Sequence, residues 1–288
     1  MNLKKIAKEI RDILEKKRRE YQITFEEEEH KYTMKDIDGI VKSDFPSVSK
    51  VMKLFYDEFP TEDAARKKAK GDPYVMQTLL AEWEEMGKIS TNMGSRVHYE
   101  LEIETLKRCG LNKEVRQPIY ECDMEMIMKG DRMIKAGHNF LKLMEERGAI
   151  LIDTEIVLGD PELGYVGQGD TCWLIMNKSK TGYGFIITDY KTNKKKNMET
   201  NTYTVPMREP FKHLPNNALG HYNTQLPLYG KLLLKMLRGT KYENLPLLGC
   251  IIVHLTDEQD FTEYRVDKKV VDTIMKMDIK EHLTKLIK

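Results

Sequence analysis

The sequence feature that most constrains the fold is a pair of apolar segments that become ionic at defined points. Residues 164–196 read "GYVGQGDTCWLIMNKSKTGYGFIITDYKTNKKK", in which two apolar segments flank a polar turn. This pattern predicts two β-strands joined as a hairpin. The first strand contains Asp170, and the second ends with Asp189 and Lys191. Because strands that fill a core avoid unpaired charge, these three side chains need a specific partner.

The spacing of the charged residues suggests their use. Asp189 and Lys191 are two residues apart on one strand, so their side chains share a face of the sheet. Asp170 can face them if the strand register allows. Carboxylates held close together repel each other unless a cation lies between them, and Mg²⁺ prefers such oxygen ligands. Such an ion can polarise a phosphoryl oxygen while a nearby lysine offsets the phosphate charge. An exposed strand end is the simpler alternative for residues 189–191.

Composition narrows the class of protein. The 288 residues carry a formal net charge of +1, so an anionic partner must bind a local patch rather than a uniformly basic surface. The four cysteines show no CxxC spacing, which argues against a zinc or iron–sulfur framework and suits a reducing compartment. The N-terminus is too charged for a signal peptide, and no apolar run could span a bilayer. We therefore expect a soluble, cytoplasmic protein without a membrane partner.

Hydrophobic periodicity predicts the order of helices and strands along the chain. Turn and cap signals place their boundaries, such as Asp38-Gly39 for a hairpin and Ser47 after Pro46 for a helix start. The predicted elements are a helix over residues 1–21, short strands within 23–34 and 37–43, a helix from 47, mostly helical segments over 61–107 and 121–147 with breaks near 71–73, 87 and 110, a strand over 149–158, the two strands of the hairpin, a long loop over 192–217, a helix over 218–238, a strand over 245–255 and a final helix over 267–287.

This order predicts an α/β fold with a central mixed β-sheet flanked by helices. The short connections between the first three central strands favour an antiparallel meander, and the strand after the long helix returns through a crossover. We expect residues 1–147 to form an N-terminal hairpin and helical region. This region should pack on a core formed by residues 148–288, giving one compact unit.

The hairpin resembles motifs of the PD-(D/E)XK nuclease superfamily, most closely its RecB-type branch, which includes phage and mitochondrial exonucleases. The segment "VGQGD" is similar to the first acidic motif and contains Asp170. The segment "IITDYKTNK" is similar to the (D/E)XK motif, with Asp189 in the acidic position and Lys191 as its lysine. The proline of the superfamily name is missing, since Gln168-Gly169 precede Asp170.

Further similarities lie outside the hairpin, and together they cover roughly residues 23 to 255. The segment "MGSRVHYELE" resembles an upstream RecB-type motif in which a helix supplies a histidine ligand, here His98. The segment "HYNTQLPLYGKLL" resembles the Gln-x-x-x-Tyr motif, here Gln225 and Tyr229, which lie one helical turn apart. The N-terminal "FEEEEHKYTM" and "FPSVSKVMK" are similar to segments of related phage proteins.

The resemblance implies a restriction-endonuclease-like core and a Mg²⁺ site in which Mn²⁺ can substitute. The metal ligands would be His98, Asp170, Asp189 and the backbone carbonyl of Tyr190, with Lys191 outside the metal shell. The Gln-x-x-x-Tyr pair would position the substrate backbone. Many RecB-type relatives also bind an iron–sulfur cluster through four cysteines, and because this chain lacks that arrangement we expect no cluster.

Several assignments stay open. Glu155, on the strand before Asp170, completes a second metal site, binds a metal through water, or pairs with a lysine for structural reasons. The large side chains beside the charged motifs are expected in the core rather than as base-stacking platforms: Trp173, Phe185 and Tyr190.

Residues around these motifs are candidates for phosphate binding. Ser95 and Arg96 are expected at the start of the His98 helix, where backbone N–H groups bind anions. A run of lysines after the hairpin is either a solvated loop or a clamp on the DNA backbone: Lys194, Lys195 and Lys196.

The resemblance further implies a DNA exonuclease. The helices before residue 148 would form a wall over the site, which favours a single strand or a DNA end in viral or phage DNA processing, recombination or repair. The alternatives are a structure-specific or single-strand endonuclease of the same fold, and a nucleic-acid-binding protein that has lost catalysis.

Overall fold

The computed structural model describes residues 2–26, 29, 31–199 and 205–284. The helices are α1 (Leu3–Glu20), α2 (Val48–Met52), α3 (Thr61–Lys68), α4 (Pro73–Cys109), α5 (Met124–Glu146), α6 (Ala218–Met236), α7 (Lys268–Lys276) and α8 (Ile279–Leu283). The strands are β1 (Thr24–Glu26), β2 (Lys31–Lys35), β3 (Val41–Ser43), β4 (Ile150–Asp160), β5 (Tyr165–Met176), β6 (Tyr183–Lys191), β7 (Leu247–Leu255) and β8 (Phe261–Arg265).

The central sheet is mixed and has the order β4-β5-β6-β7-β8. Strands β4, β5 and β6 form an antiparallel meander, and β7 lies parallel to β6 after the crossover through α6. The predicted α/β class, meander and crossover are therefore confirmed. A second sheet, β1-β2-β3, forms the N-terminal hairpin region, where Gly39 takes a φ of +80° at the predicted turn.

Two hydrophobic clusters cover the central sheet. The larger one lies between the sheet and α1, α2, α6 and α7, and it contains Phe185. The smaller one lies between the sheet and helices α4 and α5, and it contains Trp173 and Tyr190. The three large side chains predicted as core are therefore core residues.

Helix α4 carries the predicted histidine motif and is longer than expected. It begins at an Asp72 cap, followed by Pro73, and ends at Gly110 with a left-handed φ of +63°. The predicted break at Gly87 is wrong, because a glycine inside a helix costs only about 1 kcal/mol relative to alanine. All the buried residues of α4 lie between Val97 and Leu106, so the first half of the helix extends away from the core.

The C-terminal part differs from prediction in two ways. Strand β8 has no predicted counterpart, because it is a half-exposed edge strand of five residues with little apolar character. The final helix is two helices, since Met277 has extended backbone angles and Asp278 caps the second one. Residues 285–287 of that predicted helix, and 27, 28 and 30 of the first predicted strand, lie outside the described residues. Within the described chain, no helix combines the length and the apolar character needed to cross a membrane.

Candidate functional site

The central sheet brings three acidic residues together on adjacent strands. The register between β4 and β5 pairs Thr154 with Thr171 and Ile156 with Gly169, so Glu155 and Asp170 occupy the positions between these pairs. Between β5 and β6, Thr171 pairs with Thr188. Asp170 and Asp189 therefore occupy the next pair of positions along these two strands. Asp170 therefore has an acidic neighbour on each side, which is the register that the sequence argument requires.

Helix α4 adds an imidazole to this point. His98 Nδ1 lies 3.3 Å from Asp170 Oδ2, and that oxygen also accepts a 2.6 Å hydrogen bond from the backbone N–H of Tyr190. Among the residues that the structure describes, His98, Glu155 and Asp170 offer ligand atoms that all lie within 4.8 Å of one another. This is a ligand set for a divalent ion. Asp189 lies outside this group, so its ligand role, and that of the Tyr190 carbonyl, stay predictions.

The charges of His98 and Asp170 stabilise each other. Burial favours the neutral imidazole, but the charge of Asp170 and its hydrogen bond outweigh burial and raise the pKa of His98 to about 9. Burial also opposes ionisation of Asp170, but His98 and then Lys191 hold the pKa of that carboxyl below its usual range. In the metal-free protein, the proton on His98 therefore supplies the positive charge that this site needs.

Glu155 is held in an unusual conformation. Its φ is +41°, in the left-handed region that a glutamate inside a strand rarely adopts. Its Oε2 accepts a 2.7 Å hydrogen bond from Gln168 Nε2, so its partner is an amide and not a lysine. Burial, followed by the charge of Asp170, raises the pKa of Glu155 to about 8. Backbone strain and a perturbed pKa at one residue are typical of functional sites, which favours the metal-binding interpretation.

Lys191 lies beside this group in a fixed position. Its ammonium forms an ion pair with the buried carboxylate of Asp189 and lies 4.5 Å from the ring centre of Tyr222. The Tyr222 hydroxyl donates a 2.9 Å hydrogen bond to Asn193 Oδ1. Burial lowers the pKa of Lys191, but the charges of Asp189 and Asp170 outweigh this effect and raise it, so the side chain stays protonated. Burial and the Asp170 charge also raise the pKa of Asp189 to about 6.

Helix α6 contributes Gln225 and Tyr229. Gln225 Nε2 donates a 3.2 Å hydrogen bond to the Tyr229 hydroxyl, and both side chains are buried. A Cβ added at Gly167 would come within 2.7 Å of Cε1 of the Tyr229 ring, and one at Gly169 within 3.5 Å of the same ring. The glycines before Asp170 therefore make room for a side chain of α6. The Tyr229 ring packs against the sheet, as predicted.

A few buried polar side-chain atoms near the end of β6 and on α6 are poorly satisfied. Three buried side-chain atoms of the described residues lack a well-formed hydrogen bond: Asp189 Oδ2, against which the Lys191 ammonium lies, Tyr190 Oη and Gln225 Oε1. Folded proteins leave few such atoms, and each requires an explanation. Asp189 Oδ2 has the Lys191 ammonium as its partner, whereas the imidazole and the two carboxylates of the cluster are ligand types that suit a divalent ion such as Mg²⁺ or Mn²⁺.

Two cavities share His98 in their linings. The larger one, of about 1040 Å³, is lined by Lys191 and the lysine run 194–196 on one side and by Met86 and Ile89 of α4 on another. The smaller one, of about 510 Å³, contains Glu155 and Gln168 together with three cationic side chains, which are Arg18, Lys113 and Arg116. His98 and Glu155 are thus accessible from cavities whose linings carry lysine or arginine side chains alongside an equal number of acidic ones.

The helix start predicted at Ser95 and Arg96 is wrong, and phosphate binding by these two residues stays a prediction. Ser95 and Arg96 were expected at a helix start, but α4 begins at Pro73 and runs through both, so no free backbone N–H groups are available there. The Arg96 guanidinium instead donates a 3.2 Å hydrogen bond to the carbonyl of Ile127 and forms an ion pair with Asp131. Ser95 lines the smaller cavity.

No family model and no curated protein matches this chain. A functional interpretation must therefore come from the geometry of the site and from the motif resemblance.

Three residues near the site lie outside the predicted set. Tyr222 is three positions before Gln225 on α6, so helical spacing could have indicated it. Gln168 lies two residues before Asp170 inside the first acidic motif, but its contact depends on the backbone of Glu155. No sequence signal indicates Asn193.

Proposed function

We propose that this chain is a metal-dependent deoxyribonuclease with a PD-(D/E)XK-type centre, and that it acts as an exonuclease. The observation that carries the proposal is the convergence of His98, Glu155 and Asp170 within 4.8 Å, next to a strand that ends in the Asp189–Lys191 ion pair. The meander followed by a parallel strand supports a restriction-endonuclease-like core.

The donor set suits Mg²⁺, with Mn²⁺ as a substitute. His98, Glu155 and Asp170 would hold the ion, and Asp189 and the Tyr190 carbonyl are the further proposed ligands. When bound, a divalent ion supplies Lewis acidity towards a phosphate and an attacking water. His98 must give up its proton first, because only the neutral imidazole is a ligand.

Lys191 would stabilise negative charge on the scissile phosphate. Its ammonium is held between the Asp189 carboxylate and the Tyr222 ring, so it is already in place before a phosphate arrives. A charged donor that needs no rearrangement is most effective where charge develops during a reaction.

The larger cavity would bind the DNA strand. Its lysines offset the repulsion between phosphates and the carboxylates of the site: Lys191, Lys194, Lys195 and Lys196. Gln225 would contact the substrate backbone, and Tyr229, whose hydroxyl accepts a hydrogen bond from Gln225, would act by holding that side chain.

Exonuclease action corresponds to a strand end that enters the larger cavity and stops at His98. A second candidate is single-strand or structure-specific endonuclease activity, because His98 lines both cavities and a strand that occupied both would need no free end. Roles in viral or phage DNA processing, recombination or repair follow from the resemblance alone.

The test uses end-labelled linear single- and double-stranded DNA and circular single-stranded DNA, with Mg²⁺ or with a chelator. The proposal predicts that linear DNA is degraded with Mg²⁺, that the chelator stops the reaction and that the circle resists. Cleavage of the circle would assign the endonuclease. DNA binding without cleavage in Mg²⁺ or Mn²⁺ would contradict the nuclease and indicate a binding protein.

A further inference from the structure

The two carboxylate oxygens of Glu155 have different surroundings. Oε2 accepts the 2.7 Å hydrogen bond from Gln168 Nε2. This hydrogen bond takes one of the two lone-pair directions of Oε2 and fixes the orientation of the carboxylate. The Glu155 carboxylate is therefore held by the protein at one oxygen while it also contributes a ligand atom to the cluster with His98 and Asp170.

Gln168 is placed for this contact by the strand register. It pairs with Val157 on β4, two residues beyond Glu155, so the two side chains are diagonal neighbours across the strands. The backbone of Glu155 has a φ of +41°. The side chain is thus fixed at its backbone by the strained conformation and at its carboxylate by the amide. Both residues line the smaller cavity beside His98.

The number of free oxygens matters for the choice of cation. Ca²⁺ takes six to eight oxygen ligands and often binds both oxygens of one carboxylate, whereas Mg²⁺ takes six ligands in a strict octahedron and keeps several waters. A carboxylate whose orientation is fixed by a hydrogen bond at one oxygen turns both oxygens to a single ion less readily, so it suits the smaller ion. It is a poorer ligand for Ca²⁺, which needs more protein oxygens.

We propose that Gln168 determines metal specificity: by keeping one Glu155 oxygen hydrogen-bonded, it favours Mg²⁺ and Mn²⁺ over Ca²⁺. This inference rests on the proposed metal centre. It differs from a purely structural role of Gln168, because a side chain that only fills space would affect the binding of all divalent ions alike.

The test compares the wild type with Gln168→Met, which keeps the length of the side chain and removes its hydrogen-bond donor. Mn²⁺ binding is measured by calorimetry, and Ca²⁺ binding by competition with Mn²⁺, without any activity assay. We expect the ratio of the Ca²⁺ to the Mn²⁺ dissociation constant to fall about tenfold, the size typical of changes to residues that hold a metal ligand. Parallel changes in both constants, or no change, would overturn the proposal.

Two further variants keep the test decisive. If circular dichroism shows that Gln168→Met does not fold, Gln168→Glu replaces it. This variant has the original shape, lacks the donor and adds an oxygen. It must shift the ratio of the Ca²⁺ to the Mn²⁺ dissociation constant in the same direction. In a Glu155→Ala background, Gln168→Met must leave the ratio unchanged, since its target is gone; a shift there contradicts the mechanism. A wild type that binds no Mn²⁺ overturns the proposed function itself, which is a different outcome from parallel changes.

Discussion

Glu155, Asp170 and His98 set the charge balance of the metal-free site. Burial and the Asp170 charge raise the pKa of Glu155 from 4.5 to about 8. Against burial, Asp170 raises the pKa of His98 from 6.5 to about 9. In both cases the folded protein binds a proton that the unfolded chain releases at lower pH. The contribution of these groups to stability is therefore lost as the pH rises, from about 4.5 to 8 for Glu155 and from about 6.5 to 9 for His98.

Glu155→Gln tests this charge balance. In chelator, we expect the free energy of unfolding at pH 8 to exceed that of the wild type by at least about 1 kcal/mol, and the difference to vanish near pH 4, where Glu155 is protonated in both states. Urea unfolding at the two pH values measures it. The control is Glu114→Gln, because Glu114 is exposed and lines the same smaller cavity as Glu155. We expect this control to change the free energy of unfolding little at either pH. A difference that does not depend on pH would contradict the assignment.

Lys191→Met separates catalysis from binding. Because the proposed role of Lys191 lies in the transition state, we expect the cleavage rate to fall by about 10²-fold or more while DNA affinity changes little. The exposed Lys194 provides the comparison. Lys194→Met should weaken DNA binding and reduce its salt dependence, with a smaller effect on the rate at saturating DNA. Single-turnover kinetics measure the cleavage rate of each variant, and binding curves at two salt concentrations measure its DNA affinity and salt dependence. Near-wild-type cleavage by Lys191→Met would show that the lysine assignment is wrong.

At the scale of single residues, a site residue can be predicted from sequence when it belongs to a motif with a fixed residue type and spacing. Asp170, Asp189 and His98 are of this kind, and the structure brings His98 and Asp170 into contact. Glu155 could not be decided from sequence, because its role depends on a left-handed backbone that no local signal predicts for a glutamate. Gln168 was missed for the same reason, since its hydrogen bond exists only with that backbone in place.

At the scale of elements, long periodic segments were predictable and their interruptions were not. Helix α1 and strand β7 have strong patterns and lie close to their predicted ranges. Gly87 was expected to end a helix, but the long α4 tolerates it. Strand β8 escaped prediction because an edge strand is stabilised by its neighbour β7 more than by its own apolar pattern.

Gly167 and Gly87 form a matched pair of glycines for testing element packing. At Gly167, an added Cβ would lie 2.6 Å from Val48 Cγ2 and 2.7 Å from Tyr229 Cε1, so α2 and α6 would have to move from β5. We expect Gly167→Ala to destabilise the protein by about 1–3 kcal/mol. Gly87 has no atom within 4 Å of that position, so Gly87→Ala should stabilise by up to about 1 kcal/mol. Thermal unfolding measures both, and equal effects would contradict the packing.

At the scale of the whole molecule, the N-terminal region and the sheet share one core. Ala7 and Ile10 of α1 belong to the larger hydrophobic cluster. Arg11 of α1 donates hydrogen bonds from Nε to the carbonyl of Ile152 at 2.6 Å and from Nη2 to that of Leu151 at 3.2 Å. These contacts were not predictable, because amphipathic periodicity indicates that a helix has a buried face but not which strand it covers.

Metal binding should be visible in the stability of the whole chain. An ion that binds only the folded state at 100 times its dissociation constant adds about 2.7 kcal/mol to the free energy of unfolding. We expect Mn²⁺ to raise the melting temperature of the wild type and to leave that of Asp170→Asn unchanged. In chelator at neutral pH, the same variant should be less stable than the wild type, because the lowered pKa of Asp170 means that its charge, paired with His98 and the Tyr190 N–H, stabilises the folded state. An equal Mn²⁺ effect on both proteins would contradict a site at Asp170.

The most direct measurement is the anomalous difference density of a Mn²⁺-soaked crystal. The account predicts a peak in contact with His98, Glu155 and Asp170, and no such peak in crystals of Asp170→Asn. Side chains of these three residues that point apart, with no anomalous density between them, would contradict the central claim that they converge to hold a divalent ion.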